Sequence, residues 1–351
     1  MLISVQYARA VAALLVVTGH VSGFSAFQAA STTHFGGVGV DIFFVISGFI
    51  MWETSKDQSP ADFLRRRIAR IVPPYWFYTT LLVLLALAAP AFTPNIELST
   101  KALLGSYFFI PYTDHRGLMN PILLQGWTLN LEMYFYIAFA FSLFLADRRA
   151  RFLAVSAFFA IAILIGLFAD SSWAAVSRFT STILLEFVMG MAVSAIWQRW
   201  KISFSAALTI LLLSVAALLY AEIRLQNSGI NFIVFGIPAA FFLLGLLNME
   251  TSLAKRPLPW LVATGDASYS LYLVHPFILS AVHIIFQRWL QNYLGSDSMI
   301  LAITFALTAI VTSVIISYLS YMLLEKPAGR FVLKQLSGGR NIERKRKMAT
   351  V

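Results

Sequence analysis

Apolar residues fall along this chain in ten long blocks, separated by short stretches that hold most of the charge. The blocks run over about residues 7–27, 37–53, 71–90, 127–146, 152–169, 179–198, 203–220, 230–248, 265–287 and 298–324. A helix needs about 20 apolar residues to cross the hydrocarbon core of a bilayer, so each block is read as one span. The pattern predicts an all-α polytopic membrane protein with about ten transmembrane helices. Residues 102–112 (ALLGSYFFIPY) are apolar but too short to cross, and are expected as a re-entrant or interfacial piece. Such a piece either covers a cavity as a lid or anchors in the interface through its aromatic rings. Residues 1–325 are expected to form a single transmembrane domain, and 326–351 a basic cytoplasmic tail whose ERKRK cluster lies against anionic lipid.

Composition supports this pattern and orients it. With 59% hydrophobic residues, 12% charged and a mean hydropathy of +0.77, the chain falls outside the range of ordinary soluble domains. The net charge of +10 maps onto loops, so no nucleic-acid partner is expected. With the N-terminus inside, the inner segments collect the runs at 65–70 and 148–151 and the tail. They then hold about four times as many Lys and Arg as the outer segments, which predicts that both termini are cytoplasmic. The absence of cysteine excludes disulfides, thiolate metal sites and a cysteine nucleophile. The first block is not read as a signal peptide, because its only positive charge, Arg9, lies within the apolar run and a second span follows closely.

Ionisable residues inside the spans mark the candidate chemistry, since each costs roughly 3 kcal/mol or more at the bilayer centre. Arg9 and His20 share one face of the first span, about 16 Å apart along its axis. They either line a functional cavity or serve as a snorkelling arginine and a packed histidine. Asp41, at the start of the second span, is expected at a depth comparable to His20, where it would fix the histidine tautomer or simply complement a helix N-terminus. Glycines 36, 37, 39 and 48 allow close approach to that helix. Glu132, in WTLNLEMYFY, is a proton carrier, a partner of His20 or an acceptor for substrate hydroxyls. Its neighbours Trp127 and Tyr134 suit a carbohydrate, whose apolar faces stack on rings. Glu186 is a second isolated carboxylate, with an interhelical hydrogen bond as its plainer role.

The stretch FLRRRIARIVPPYW places four arginines in six positions, with Arg67 and Arg70 on one helix face. It is either a phosphate site or an ordinary positive flank, and Pro73 and Pro74 are expected to break the helix there. In GDASYSLYLVHPFI, Asp266 and Ser268 are expected as helix caps, and Tyr269, Tyr272 and His275 face the bundle interior. His275 either meets substrate or packs at a kink before Pro276. His34, His115 and His283 show no metal-ligand spacing, and no metal is expected.

These segments together resemble the acyltransferase-3 family of integral membrane O-acyltransferases, above all its exopolysaccharide-acetylating branch. The matches are Arg9 with His20, GVDIFFVISGF from Gly39, Arg67 with Arg70 before IVPPYW, WTLNLEMYFY, SYSLYLVHP, and Glu325 in LEKP. Thr128 stands where many relatives carry serine. The resemblance implies transfer of an acyl group, usually acetyl from cytosolic acetyl-CoA, to a sugar hydroxyl of a glycan or lipid-linked oligosaccharide. It implies a bacterial inner-membrane location, with a second copy or polysaccharide-assembly proteins as further partners. His20 would be the catalytic histidine, steadied by Asp41 or Glu132, and would act as a base or as a covalent relay. Arg67 and Arg70, with Arg9, would hold the co-substrate, while Trp127, Tyr134, Tyr269 and His275 would meet the acceptor. The rival reading is a proton-coupled transporter or flippase, which also places Arg, His, Asp and Glu in membrane helices but needs no phosphate clamp.

Overall fold

The protein is described by a computed structural model that covers residues 2–22, 37–225, 232–289 and 299–337. The ERKRK cluster, His34, Gly36 and residues 23–27 of the first apolar block lie outside the described residues. Among the described residues there is no strand. The helices are α1 (Ile3–Ser22), α2 (Val38–Thr54), α3 (Pro60–Ala88), α4 (Thr100–Tyr107), α5 (Gly126–Ser142), α6 (Arg148–Gly166), α7 (Ala174–Phe179) and α8 (Leu184–Arg199). They continue with α9 (Phe204–Arg224), α10 (Ile237–Asn248), α11 (Glu250–Lys255), α12 (Pro259–Asp266), α13 (Ser268–Trp289), α14 (Met299–Ser320) and α15 (Lys326–Ser337). Wider π-type turns precede α10 over Phe232–Gly236 and join α14 to α15 over Tyr321–Glu325.

Every one of the ten apolar blocks carries helix. Among the described residues seven helices are long and apolar enough to cross a membrane. The other three blocks hold α2, α5 and the 17-residue stretch Phe232–Asn248, each about 26 Å long by helical rise. This is the architecture of a polytopic membrane protein.

The chain divides into two compact units. In the first (residues 1–56, 156–169 and 179–319), α1 is packed on two sides. Val5, Ala8 and Ala12 share one apolar cluster with residues of α2, α8, α9 and α10, while Ala13, Val17 and Val21 share another with residues of α13 and α14. Such spacings of three and four residues put each set on its own helix face. Small residues let helices approach where lipid supplies no hydrophobic drive. The crossing of α2 and α8 is the tightest case: a Cβ on Gly48 would lie 1.9 Å from the Phe187 carbonyl oxygen, and one on Gly190 2.0 Å from that of Val45.

The second unit (57–155, 170–178 and 320–351) is built on α3, a 29-residue helix. Ser59 caps it by accepting from the Asp62 amide, and Pro60 opens it at a position where a missing N–H costs nothing. The expected break at Pro73–Pro74 does not occur, and α3 runs straight through both prolines. A proline removes the bond to the carbonyl four residues back, here those of Ala69 and Arg70. Gly329 of α15 packs over that freed Ala69 oxygen, 3.0 Å from where its Cβ would be. Residues 326–337, the start of the expected basic tail, form an amphipathic helix docked on α3.

The 102–112 piece is a short helix with a return. Ser99 caps α4, Phe109 turns the chain in the left-handed region at φ 58°, and Tyr112 comes back under Gly105. Ala102 and Tyr112 face inward, whereas Leu104, Phe108 and Ile110 are exposed.

Candidate active site: a histidine pair and an arginine turn

In the first unit, α1 and α13 bring two histidines together. The rings of His20 and His275 meet edge to face, with centroids 4.9 Å apart. Each Nδ1 lies against the carbonyl one turn back in its own helix, at 2.9 Å from Val16 for His20 and 3.0 Å from Leu271 for His275. A carbonyl oxygen only accepts, so both Nδ1 atoms carry a proton, and the neutral form of either ring has its lone pair on Nε2. His20 is exposed at the end of α1, while His275 is wholly buried, its Nε2 without a hydrogen-bond partner among the described residues. Tyr272 backs His275 with rings 6.2 Å apart and also touches Phe43; Tyr269 is buried on the same helix.

The carboxylates expected at His20 have other partners. Asp41 is buried on α2, where it faces the carboxyl of Glu186 with Glu222 beyond. Glu186 is fully buried, its side chain pressed on Gly236. Glu222 on α9 accepts from the Gly37 and Val38 amides at 3.1 and 3.3 Å and so caps α2. Among the described residues, the hydrogen-bond and ring partners of His20 are Val16 and His275. The neighbour with the closest ring contact is thus a histidine rather than an acid.

Arg9 is buried, and its guanidinium donates to Gln6, whose amide in turn donates to Asp266. Asp266 is consequently no helix cap: it ends α12 and ties it to α1. Glu250 caps α1 from outside by accepting from the Ile3 and Ser4 amides at 2.9 and 2.7 Å.

In the second unit, Arg67 is buried over the Phe63 ring, 5.4 Å from its centroid, with Arg70 half-exposed one turn on. Glu132 and Tyr136 of α5 are its neighbours, Glu132 as the opposite charge, and the Tyr136 hydroxyl donates to Glu132 in a short hydrogen bond. Glu132 thus balances the arginine turn. Trp127, also on α5, is stacked on one face by Arg178 at 4.9 Å, and Tyr134 is half-buried. Among the described residues no group of three or more His, Asp or Glu is arranged to hold a metal ion.

Glu222, Glu250, Gln6, Tyr136 and Arg178 did not stand out in the sequence. Glu222 offered a signal, a carboxylate at the end of an otherwise apolar helix. Gln6 and Tyr136 offered none, since their roles depend on partners in other helices.

A family model described as an acyltransferase domain matches residues 2–322. The chain belongs to the acyltransferase-3 family. It is 36% identical to the exopolysaccharide production protein ExoZ of Rhizobium meliloti, over 86% of this chain and 93% of that one. It is 27% identical to the putative membrane-bound transacylase BcsY of Komagataeibacter xylinus, over 83% and 76% of the two chains. A putative peptidoglycan O-acetyltransferase of Bacillus subtilis, YrhL, is 26% identical over 91% of this chain, which spans about half (53%) of that protein. No solved structure matches. The histidine pair and the arginine turn are accordingly features of a membrane acyltransferase.

Proposed function

We propose that this acyltransferase moves an acetyl group from acetyl-CoA to a sugar hydroxyl of an exopolysaccharide or lipid-linked glycan, in the inner membrane with both termini cytoplasmic. The observation that carries the reading is the state of His20, whose Nδ1–H is held by the Val16 carbonyl so that the basic nitrogen of an exposed ring is Nε2. That nitrogen accepts the proton of the sugar hydroxyl as its oxygen attacks the thioester carbonyl. The C–S bond breaks, and the imidazolium returns the proton to the departing thiolate. His275 holds the His20 ring edge to face. Arg67 and Arg70 bind donor phosphates, a task for which a planar guanidinium fork is suited. Trp127 and Tyr134 supply ring surface to the acceptor.

The test is transfer of label from acetyl-CoA to a lipid-linked glycan fraction by purified protein in lipid. Removal of a general base costs about 10²–10⁴-fold, so His20→Ala should fall by that factor with insertion and folding unchanged. Full activity in His20→Ala would overturn the reading. Coupled movement of protons or glycan without label transfer would favour the transporter.

A further inference from the structure

A cleft of about 170 Å³ lies between the start of α3 and the end of α15, lined by Asp62, Arg65, Arg66, Leu333 and Ser337. It is formed where α15 docks along the arginine-rich turns of α3, with Gly329 packed at the Ala69 carbonyl that Pro73 leaves without its helical donor.

The polar groups of the cleft divide into those already engaged and those available. Asp62 is tied at both oxygens, accepting from Arg65 Nη1 at 3.0 Å and from the Ser59 hydroxyl at 2.7 Å. Its charge is thus compensated and the Arg65 fork is oriented. Arg66 is exposed and makes no ion pair among the described residues. Ser337 brings a hydroxyl and Leu333 an apolar wall from the opposite helix. One compensated ion pair, one uncommitted guanidinium and one hydroxyl around so small a volume match a single phosphate group.

We propose that this cleft is a phosphate subsite, formed by Arg66 and Ser337 with Arg65 held ready by Asp62, separate from the Arg67/Arg70 pair. The phosphate belongs either to the nucleotide end of the acyl donor or to a phospholipid headgroup. The donor version rests on the function proposed above; the phosphate chemistry itself does not.

Binding to the full-length protein in nanodiscs separates these cases without any need for turnover. The probes are 3′-phosphoadenosine 5′-diphosphate, inorganic phosphate, and nanodiscs of phosphatidylcholine with or without phosphatidylglycerol. A lost charge-assisted hydrogen bond is worth about 1.5–3 kcal/mol, so Arg66→Gln should weaken the responsible probe about 10- to 100-fold. Ser337→Ala should weaken it a few-fold, and Arg66→Lys should recover part of the loss. Sensitivity of the nucleotide identifies the donor, whereas sensitivity only to phosphatidylglycerol identifies the lipid. If both variants, with unchanged thermal unfolding, bind every probe as wild type does, the subsite is wrong. Absence of label transfer from acetyl-CoA in wild type, beside intact nucleotide binding that Arg66→Gln weakens, would count against the function and not the cleft.

Discussion

The histidine pair and the arginine turn solve the same problem, polar chemistry in an apolar protein, in opposite ways. The histidines are held by hydrogen bonds to the backbone: each ring is fixed by its own helix, and the buried ring packs edge to face on the exposed one. Arg67 cannot shed its charge, so it requires compensation from Glu132 and a ring, Phe63, to lie on. In the first, local geometry orients each ring. The charged one depends on a partner helix, and its loss should damage stability as well as function.

This contrast can be broken at either end. The largest effect expected is the loss of about 10²–10⁴-fold in rate for His20→Ala, with donor KM nearly unchanged. Arg67→Ala should do the reverse. It should raise donor KM about 10- to 100-fold and also lower the unfolding temperature, because Glu132 is left without its cation. Equal stability of wild type and Arg67→Ala, followed by thermal unfolding in lipid, would contradict the compensation argument.

His275 comes next. His275→Ala should reduce kcat about tenfold and displace its pH profile, while His275→Phe keeps the ring and should recover part of the rate. A pH profile unmoved by either change would reduce His275 to packing. Glu222→Gln removes a charge from the α2 N-terminus and should cost about 0.3–1 kcal/mol in unfolding, with little change in KM.

The smallest effect is expected in the loop around α4, where acids are again tied by local groups. Hydrogen bonds from the Ser99 hydroxyl and the His115 amide hold the Glu97 carboxyl below its ordinary 4.5. Burial would raise Asp114, but the Arg116 side chain and the Leu118 and Arg116 amides outweigh it and hold it below 3.8. Their contribution is fully present above those ordinary values and is lost as pH falls through the lowered ones. Protease nicking of residues 113–118 should therefore rise below about pH 4 and be flat from pH 5 to 8.

Local chemistry was enough to read the ten helical blocks, the histidine in α1 and the arginine turn, because apolar periodicity and charge placement are properties of neighbouring residues. Family membership was likewise legible in short motifs within the matched residues, such as GVDIFFVISGF and SYSLYLVHP. Only the tertiary structure decided the partners. His20 meets His275 rather than Asp41, and Asp41 turns to Glu186, because which helices adjoin α1 is set by the small-residue faces that pack between distant segments. The same holds for Pro73 and Pro74. In isolation a proline pair breaks a helix, but here α3 continues through both, and α15 packs over a carbonyl that they leave free.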